Sequence, residues 1–154
     1  MGGVRRNGIL ALALLAGAAS LGSCSHPDTR PAEARIATAA GSVSLRVTVA
    51  DTDAARRRGL QGVERLDRNA GMAFLFDRPS RAGFWMKDTP LPLSIAFWAS
   101  DGRIVELLDM APCTGRLCPT YRPERPFVGA LEANRGFFAR QGVEVGDRVV
   151  IVGG

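Results

Sequence analysis

From Ser42 to Val152 the apolar residues of this chain come in short runs, each closed within a few residues by Gly, Pro or an Asp/Ser turn. Runs of this length favour strands over long helices. Ser42–Ala50 alternates, with Val43, Leu45, Val47 and Val49 on one face and Ser44, Arg46 and Thr48 on the other, as a half-buried strand does. Asp51 or Thr52 can cap a short helix through Arg58, and Gly59 suits its C-terminal stop. Met72–Phe76 is a continuous apolar run and predicts a buried strand, with Asp77–Ser80 as the turn after it. Further strands are expected at Gly83–Met86, Ile95–Ala99, Arg103–Met110, Phe127–Glu132 and Arg148–Val152. Pro112–Pro126 reads as a Pro-rich loop, and Asn134–Gln141 suits a second short helix ended by Gly142. The expected class is α+β: a compact, β-rich domain with a mostly antiparallel, curved or barrel-like sheet of about seven strands and two short helices.

The first residues carry an address rather than structure. Met1–Asn7 holds Arg5 and Arg6 and no acid, and Gly8–Leu21 is apolar but shorter than the ~20 residues of a spanning helix. Leu21-Gly22-Ser23-Cys24 follows and resembles a bacterial lipobox. The resemblance implies a signal peptide at residues 1–23, cleavage before Cys24 and lipid on its thiol. Acyl chains at ~0.8 kcal/mol per buried CH₂ give a stable anchor. The residues around Arg5-Arg6 fit the twin-arginine route poorly, so the general export route is expected. The protein is thus expected on the extracytoplasmic side of a bacterial membrane, in the cell envelope. Residues 24–41 are rich in Pro, Ala and charge, without apolar periodicity, and read as a flexible tether. The domain is then 42–154.

Export changes what the charges mean. Cleavage before Cys24 removes two of the 20 basic residues and no acid, lowering the formal charge from +5 to +3. The arginines are scattered, and an exported protein rarely meets nucleic acid, so none is expected as a partner. The run Arg56-Arg57-Arg58 reads as a solvated helix face, or as a contact to anionic lipid headgroups. The single histidine, His26, falls in the tether. The domain therefore lacks the residues for Ser-His-Asp, Cys-His or histidine–metal chemistry. Its glycines form no P-loop or dinucleotide fingerprint, and no cofactor or metal is expected. With Cys24 lipidated, Cys113 and Cys118 remain in a short loop, and in an oxidising compartment a disulfide between them is expected.

Several stretches together carry a family resemblance. They are Arg58-Gly59-Leu60-Gln61, Gly71–Phe76, Phe84-Trp85-Met86-Lys87-Asp88-Thr89-Pro90 with its continuation to Phe97, Ala130–Gly136 and Gly142–Asp147. From about residue 43 to 152 the chain resembles the DUF192 family, small domains of unknown function found widely in bacteria and archaea, often behind a signal peptide. The resemblance implies a β-rich α+β fold and supplies no activity. Two places depart from the family pattern: Leu93-Ser94 stands where Leu-Asp is usual, and Ala133-Asn134-Arg135-Gly136 where Leu-Asn-Ala-Gly is usual.

The residues that could carry function cluster around the Trp-Met-Lys-Asp-Thr block. On a strand, Trp85 and Lys87 share one face, so an indole can stand beside an ammonium. Lys87 is the only lysine of the chain, and unlike Arg a lysine can lose its proton when buried. It can equally be paired with Asp88 or Glu132. Glu132 stands among Ala130, Leu131 and Ala133, where a carboxylate is either paired or raised in pKa. Asp88 and Thr89 precede Pro90 and suit a turn. Tyr121 lies beside Arg122 in the Pro-rich loop, as a ligand contact or as a staple. Trp85, Lys87, Asp88, Thr89, Tyr121 and Glu132 are the candidate binding residues. The favoured reading is a non-catalytic, lipid-anchored module for an envelope ligand, a glycan among the candidates, or for a partner protein. The alternative is a small envelope enzyme using Lys87 with Asp88 or Glu132, where two carboxylates would suit glycoside cleavage at ~5–9 Å separation.

Overall fold

A computed structural model describes residues 28–153. The segment expected to be a signal peptide, Cys24 and His26 lie outside the described residues. The elements in chain order are β1 (Arg30–Thr38), β2 (Gly41–Ala50), α1 (Asp53–Arg58), β3 (Ala70–Ser80), β4 (Phe84–Trp85), β5 (Leu93–Trp98), β6 (Ile104–Met110), β7 (Thr120–Tyr121), β8 (Phe127–Asn134), α2 (Phe137–Arg140) and β9 (Arg148–Val152). Seven strands form one sheet in the order β6-β5-β8-β3-β2-β1-β9, and β4 pairs with β7 in a small second ladder.

The expected β-rich α+β class holds, with two short helices and a sheet that is antiparallel except where β2 and β3 run parallel. The sheet curls without closing into a barrel. Its two edges touch at one end only, through a bridge between Arg103 and Arg148. Ile104 N–H donates to Asp147 O at 2.8 Å and Val149 N–H to Gly102 O at 2.8 Å beside that bridge.

Four expectations are corrected. The segment read as a tether carries β1, which pairs with β2 on one side and β9 on the other. Its inward positions Ala34 and Ile36 are fully buried, but alanines give a weak apolar signal and hid the alternation. Asp77–Ser80 is not a turn. β3 runs through it past a bulge, and Ser80 pairs with Phe127. The Pro-rich loop contains β7, whose Tyr121 and Thr120 pair with Phe84 and Trp85 and so shorten the expected Gly83–Met86 strand to two residues. Finally, β8 continues to Asn134, and the second helix starts only at Phe137.

The first helix forms as its residues suggest. The Thr52 side chain accepts a hydrogen bond from Ala55 N–H at 3.1 Å, and Gly59 ends the helix with a φ of 49°. The central strands β3, β5 and β8 are covered on both faces, which is why β5 is buried along its whole length. One face packs Leu45, Val47, Val49, Trp98 and Leu131 with both phenylalanines of α2. The other face packs Met72, Phe74, Ile95, Phe97, Phe127 and Ala130 beneath α1 and β4. No helix among the described residues is long and apolar enough to cross a membrane.

Candidate functional site

Glu132 lies in the middle of β8, opposite Met72 on β3 and Ile95 on β5. Its side chain therefore shares a face with Met72, Ile95 and Ala130 and enters the second core cluster. The residue is 4% exposed, and among the described residues no hydrogen bond or ion pair reaches its carboxyl. Burial without a counter-charge disfavours the ionised form, and the pKa is pushed up to about 8. No side-chain oxygen or nitrogen among the described residues is both sealed from solvent and unpartnered. The Glu132 oxygens must therefore open onto a space.

That space is a cleft of about 360 Å³ between α1, β3 and β4. Leu60, Phe74, Phe84, Met86 and Leu93 make its walls mostly apolar. Phe84 is held from below by edge-on contacts to Phe74 and Phe97, with ring centroids 5.0 and 5.4 Å apart. The volume is near the lower end of small-molecule sites, ~300–1,000 Å³. Among the described residues no three His, Cys, Asp or Glu side chains converge to hold a metal ion.

Helix α1 forms one side of the opening, and its arginines are not a simple solvated face. The Arg56 guanidinium donates to Asp51 O at 2.7 Å, to Leu75 O at 2.6 Å and to the Asp53 carboxylate at 2.7 Å. It also lies over the Phe76 ring, 4.9 Å from the centroid. Arg56 thus clamps α1 onto β3. Arg58 reaches Asp28 at 3.5 Å. Arg57 lines the cleft, and no acid pairs with its side chain among the described residues.

The six candidate residues divide. Trp85, Thr89 and Glu132 line the cleft; Lys87, Asp88 and Tyr121 do not. Trp85 is 56% exposed at the rim, while Thr89 is buried in the wall. Lys87 Nζ donates to Asp88 Oδ1 at 2.9 Å on a part-exposed turn, closed by Thr89 N–H donating to Met86 O at 3.1 Å. Asp88 takes a φ of 53°, a left-handed conformation that Asp tolerates better than most residues. Its N–H donates to Cys113 O at 3.0 Å, and its carbonyl accepts from Gly62 N–H at 2.9 Å. Cys113 is disulfide-bonded to Cys118 as expected, so a covalently closed loop supports the turn. The Tyr121 hydroxyl accepts from Ala111 N–H at 3.0 Å and the ring packs on the second core cluster, which makes it a staple. Lys87 and Asp88 thus do not line the cleft that Glu132 borders.

The sequence marks Arg57 only as one of the run Arg56-Arg57-Arg58, and it does not mark the cleft's apolar walls. Phe74 and Phe84 belong to runs that look like ordinary core, and nothing local marks that they border a space.

The family model DUF192, described as uncharacterized ACR, matches residues 35–151. A crystal structure from Sinorhizobium meliloti 1021, described as a candidate transcription regulator, is 30% identical with a TM-score of 0.73, covering 82% of this chain and 98% of that one. A protein of unknown function from Novosphingobium aromaticivorans DSM 12444 is also 30% identical, with a TM-score of 0.71, covering 81% of this chain and 89% of that one. Comparison with the curated proteins finds no match.

Proposed function

This chain belongs to the DUF192 family, and on that premise we propose that it is a non-catalytic binding domain, lipid-anchored through Cys24 in the bacterial cell envelope, whose ligand sits in the cleft above Glu132. One observation carries the reading: a buried carboxyl with no partner among the described residues opens onto a mostly apolar cleft. Such a group is costly in the empty domain and gains its partner when a ligand enters. The mostly apolar walls favour a compact amphipathic molecule over a glycan, whose hydroxyls would lie against the aromatic and aliphatic side chains of Leu60, Phe74, Phe84, Met86 and Leu93. Nucleic acid is not part of this reading, because the arginines are scattered along the chain and an exported protein rarely meets it.

The enzymatic alternative needs Lys87 at one site with Asp88 or Glu132. Lys87 and Asp88 pair with each other on the turn beside the cleft, so the alternative has less to support it.

The test is a thermal-shift screen of small amphipathic compounds against the exported domain and against Ala82→Trp. Ala82 is exposed and borders the cleft, so the indole fills the opening without entering the core. Compounds that raise the Tm of the wild type and not of Ala82→Trp are the expected result. A screen in which no compound separates the two overturns the reading. The anchor is tested separately: Cys24→Ala should move the protein from the membrane fraction to the soluble fraction, and an unchanged distribution would remove the lipid from the proposal.

A further inference from the structure

The two ends of the cleft differ in the charge they can meet. At the floor is one carboxyl, and the strands beside it contribute only Met72 and Ile95 opposite it. β4 and the turn after it contribute Phe84, Trp85, Met86 and Thr89, none of them charged. The charged groups bordering the cleft all come from α1: Asp53, Arg56, Arg57 and Arg58. Asp53 and Arg56 neutralise each other at 2.7 Å, and Arg58 has Asp28 at 3.5 Å. Among the described residues, the acid at the floor and one cation at the mouth, Arg57, make no side-chain hydrogen bond or ion pair, although Asp53 one turn away feels the charge of Arg57.

Each unpaired group selects its complement. A carboxyl in an apolar, aromatic-walled space is best matched by an ammonium, which supplies both the missing hydrogen bonds and the missing charge. The faces of Phe74 and Phe84 add favourable surroundings for a cation or its methylene stem. A guanidinium at an opening is matched by a carboxylate or a phosphate. Between them the walls are apolar.

We propose that the cleft takes a small soluble zwitterion, ammonium first: the ammonium on Glu132, an apolar stem along Phe74, Phe84 and Met86, and an anionic group at Arg57. The proposal rests on the binding reading above and names its ligand class. An ethanolamine phospholipid carries the same pair of charges, but a short polar link joins them. The apolar walls therefore favour the free molecule. Because the empty site holds its carboxyl protonated near neutral pH, ammonium binding should release a proton from Glu132 to the buffer.

The test uses four six-carbon probes on the exported domain: 6-aminohexanoate, hexanoate, hexylamine and hexanol, with affinities from calorimetry in two buffers of different ionisation enthalpy. The zwitterion should bind on the order of tenfold or more tighter than hexanoate and hexylamine, with proton release for both amines. Glu132→Gln should abolish the preference for an amine, and Arg57→Gln the preference for an acid. Both variants should keep the wild-type circular dichroism and a cooperative unfolding transition, which shows that they are folded, and hexanol, which carries neither charge, sets the baseline against which each preference is read. Hexanoate binding as tightly as 6-aminohexanoate would overturn the zwitterion while leaving a binding cleft. Capture by ethanolamine phospholipid vesicles without binding of any soluble amine would overturn the free ligand. Failure of all four probes, together with an Ala82→Trp variant indistinguishable from wild type in the wider screen, would overturn the cleft as a binding site altogether.

Discussion

Glu132 and Ile95 are register partners on β8 and β5, so a carboxyl occupies a sheet position whose neighbour is fully buried and apolar. The consequence is a stability that depends on pH in a defined direction. The folded pKa is raised from an ordinary 4.5 to about 8, so between these values the folded state binds more protons than the unfolded state. Stability from this group is therefore complete below about pH 4.5, falls as pH rises through the window, and levels off above about pH 8. One pKa unit corresponds to ~1.4 kcal/mol, so the loss is on the order of a few kcal/mol. Urea unfolding of wild type and Glu132→Gln across pH 5–9 should show the variant gaining relative to wild type as pH rises. A constant difference between the two would contradict an unpaired, buried carboxyl.

The disulfide supports the turn that carries Lys87 and Asp88. Cys113 forms bridges to both Lys87 and Thr89, and its carbonyl accepts from Asp88 N–H. The closed loop is short, so chain entropy predicts only about 2 kcal/mol of stabilisation. Replacing both Cys113 and Cys118 by Ser should lower the unfolding free energy by about that amount. Hydrogen exchange at the Asp88 amide should also rise well beyond the change at central-strand amides such as Ile95. Equal acceleration at both amides would mean that the loop stabilises the domain globally and does not brace this turn.

Gly129 faces Trp98 across the β5–β8 ladder, and a Cβ at that position would run into the indole ring. Trp98 is 6% exposed within the first core cluster and has little room to move. Gly129→Ala should therefore destabilise by about 1–3 kcal/mol, although alanine is ordinarily the better residue in a regular element. Pairing it with Trp98→Leu should recover part of the loss, a coupling that thermal unfolding of the four variants in the cycle would measure. Additive effects would place the strain elsewhere.

How much of this was legible in the residues depends on range. The cap at Thr52, the stop at Gly59, the alternation of β2 and the last strand follow from neighbouring residues, and the structure has them where local chemistry puts them. β1 was hidden because its buried face is made of Ala32, Ala34 and Ile36, too small to stand out against Pro31, Glu33 and Arg35. Glu132 was visible as an acid in an apolar setting. The cleft above it was not, because its walls come from α1, β3, β4 and β8, which are distant in the chain. Lys87 stands out in the sequence as the only lysine and as part of the Trp-Met-Lys-Asp-Thr block. Its 2.9 Å pair with Asp88 makes it a surface ion pair, a type ordinarily contributing ~0–1 kcal/mol.

Ser94 shows how one departure from the family pattern is accommodated. Its hydroxyl donates to Asp109 Oδ1 at 2.5 Å and accepts from Gly136 N–H at 2.8 Å, at the residue that precedes α2. The carboxylate at this place thus comes from β6 across the ladder, where Arg135 also reaches it at 3.3 Å. Ser94→Ala leaves the part-buried Gly136 N–H without its acceptor, while the half-exposed Asp109 keeps Arg135 and solvent, and should cost about 1–2 kcal/mol. Ser94→Asp, the residue more usual in the family, should cost more here than Ser94→Ala because it sets two carboxylates side by side. Adding Asp109→Ser exchanges the two side chains across the ladder and should restore most of the stability, since one hydroxyl again faces one carboxylate. Chemical denaturation of the two single variants and the double variant decides it. A double variant no more stable than Ser94→Asp alone would mean that the site reads the position of the carboxylate and not merely its presence.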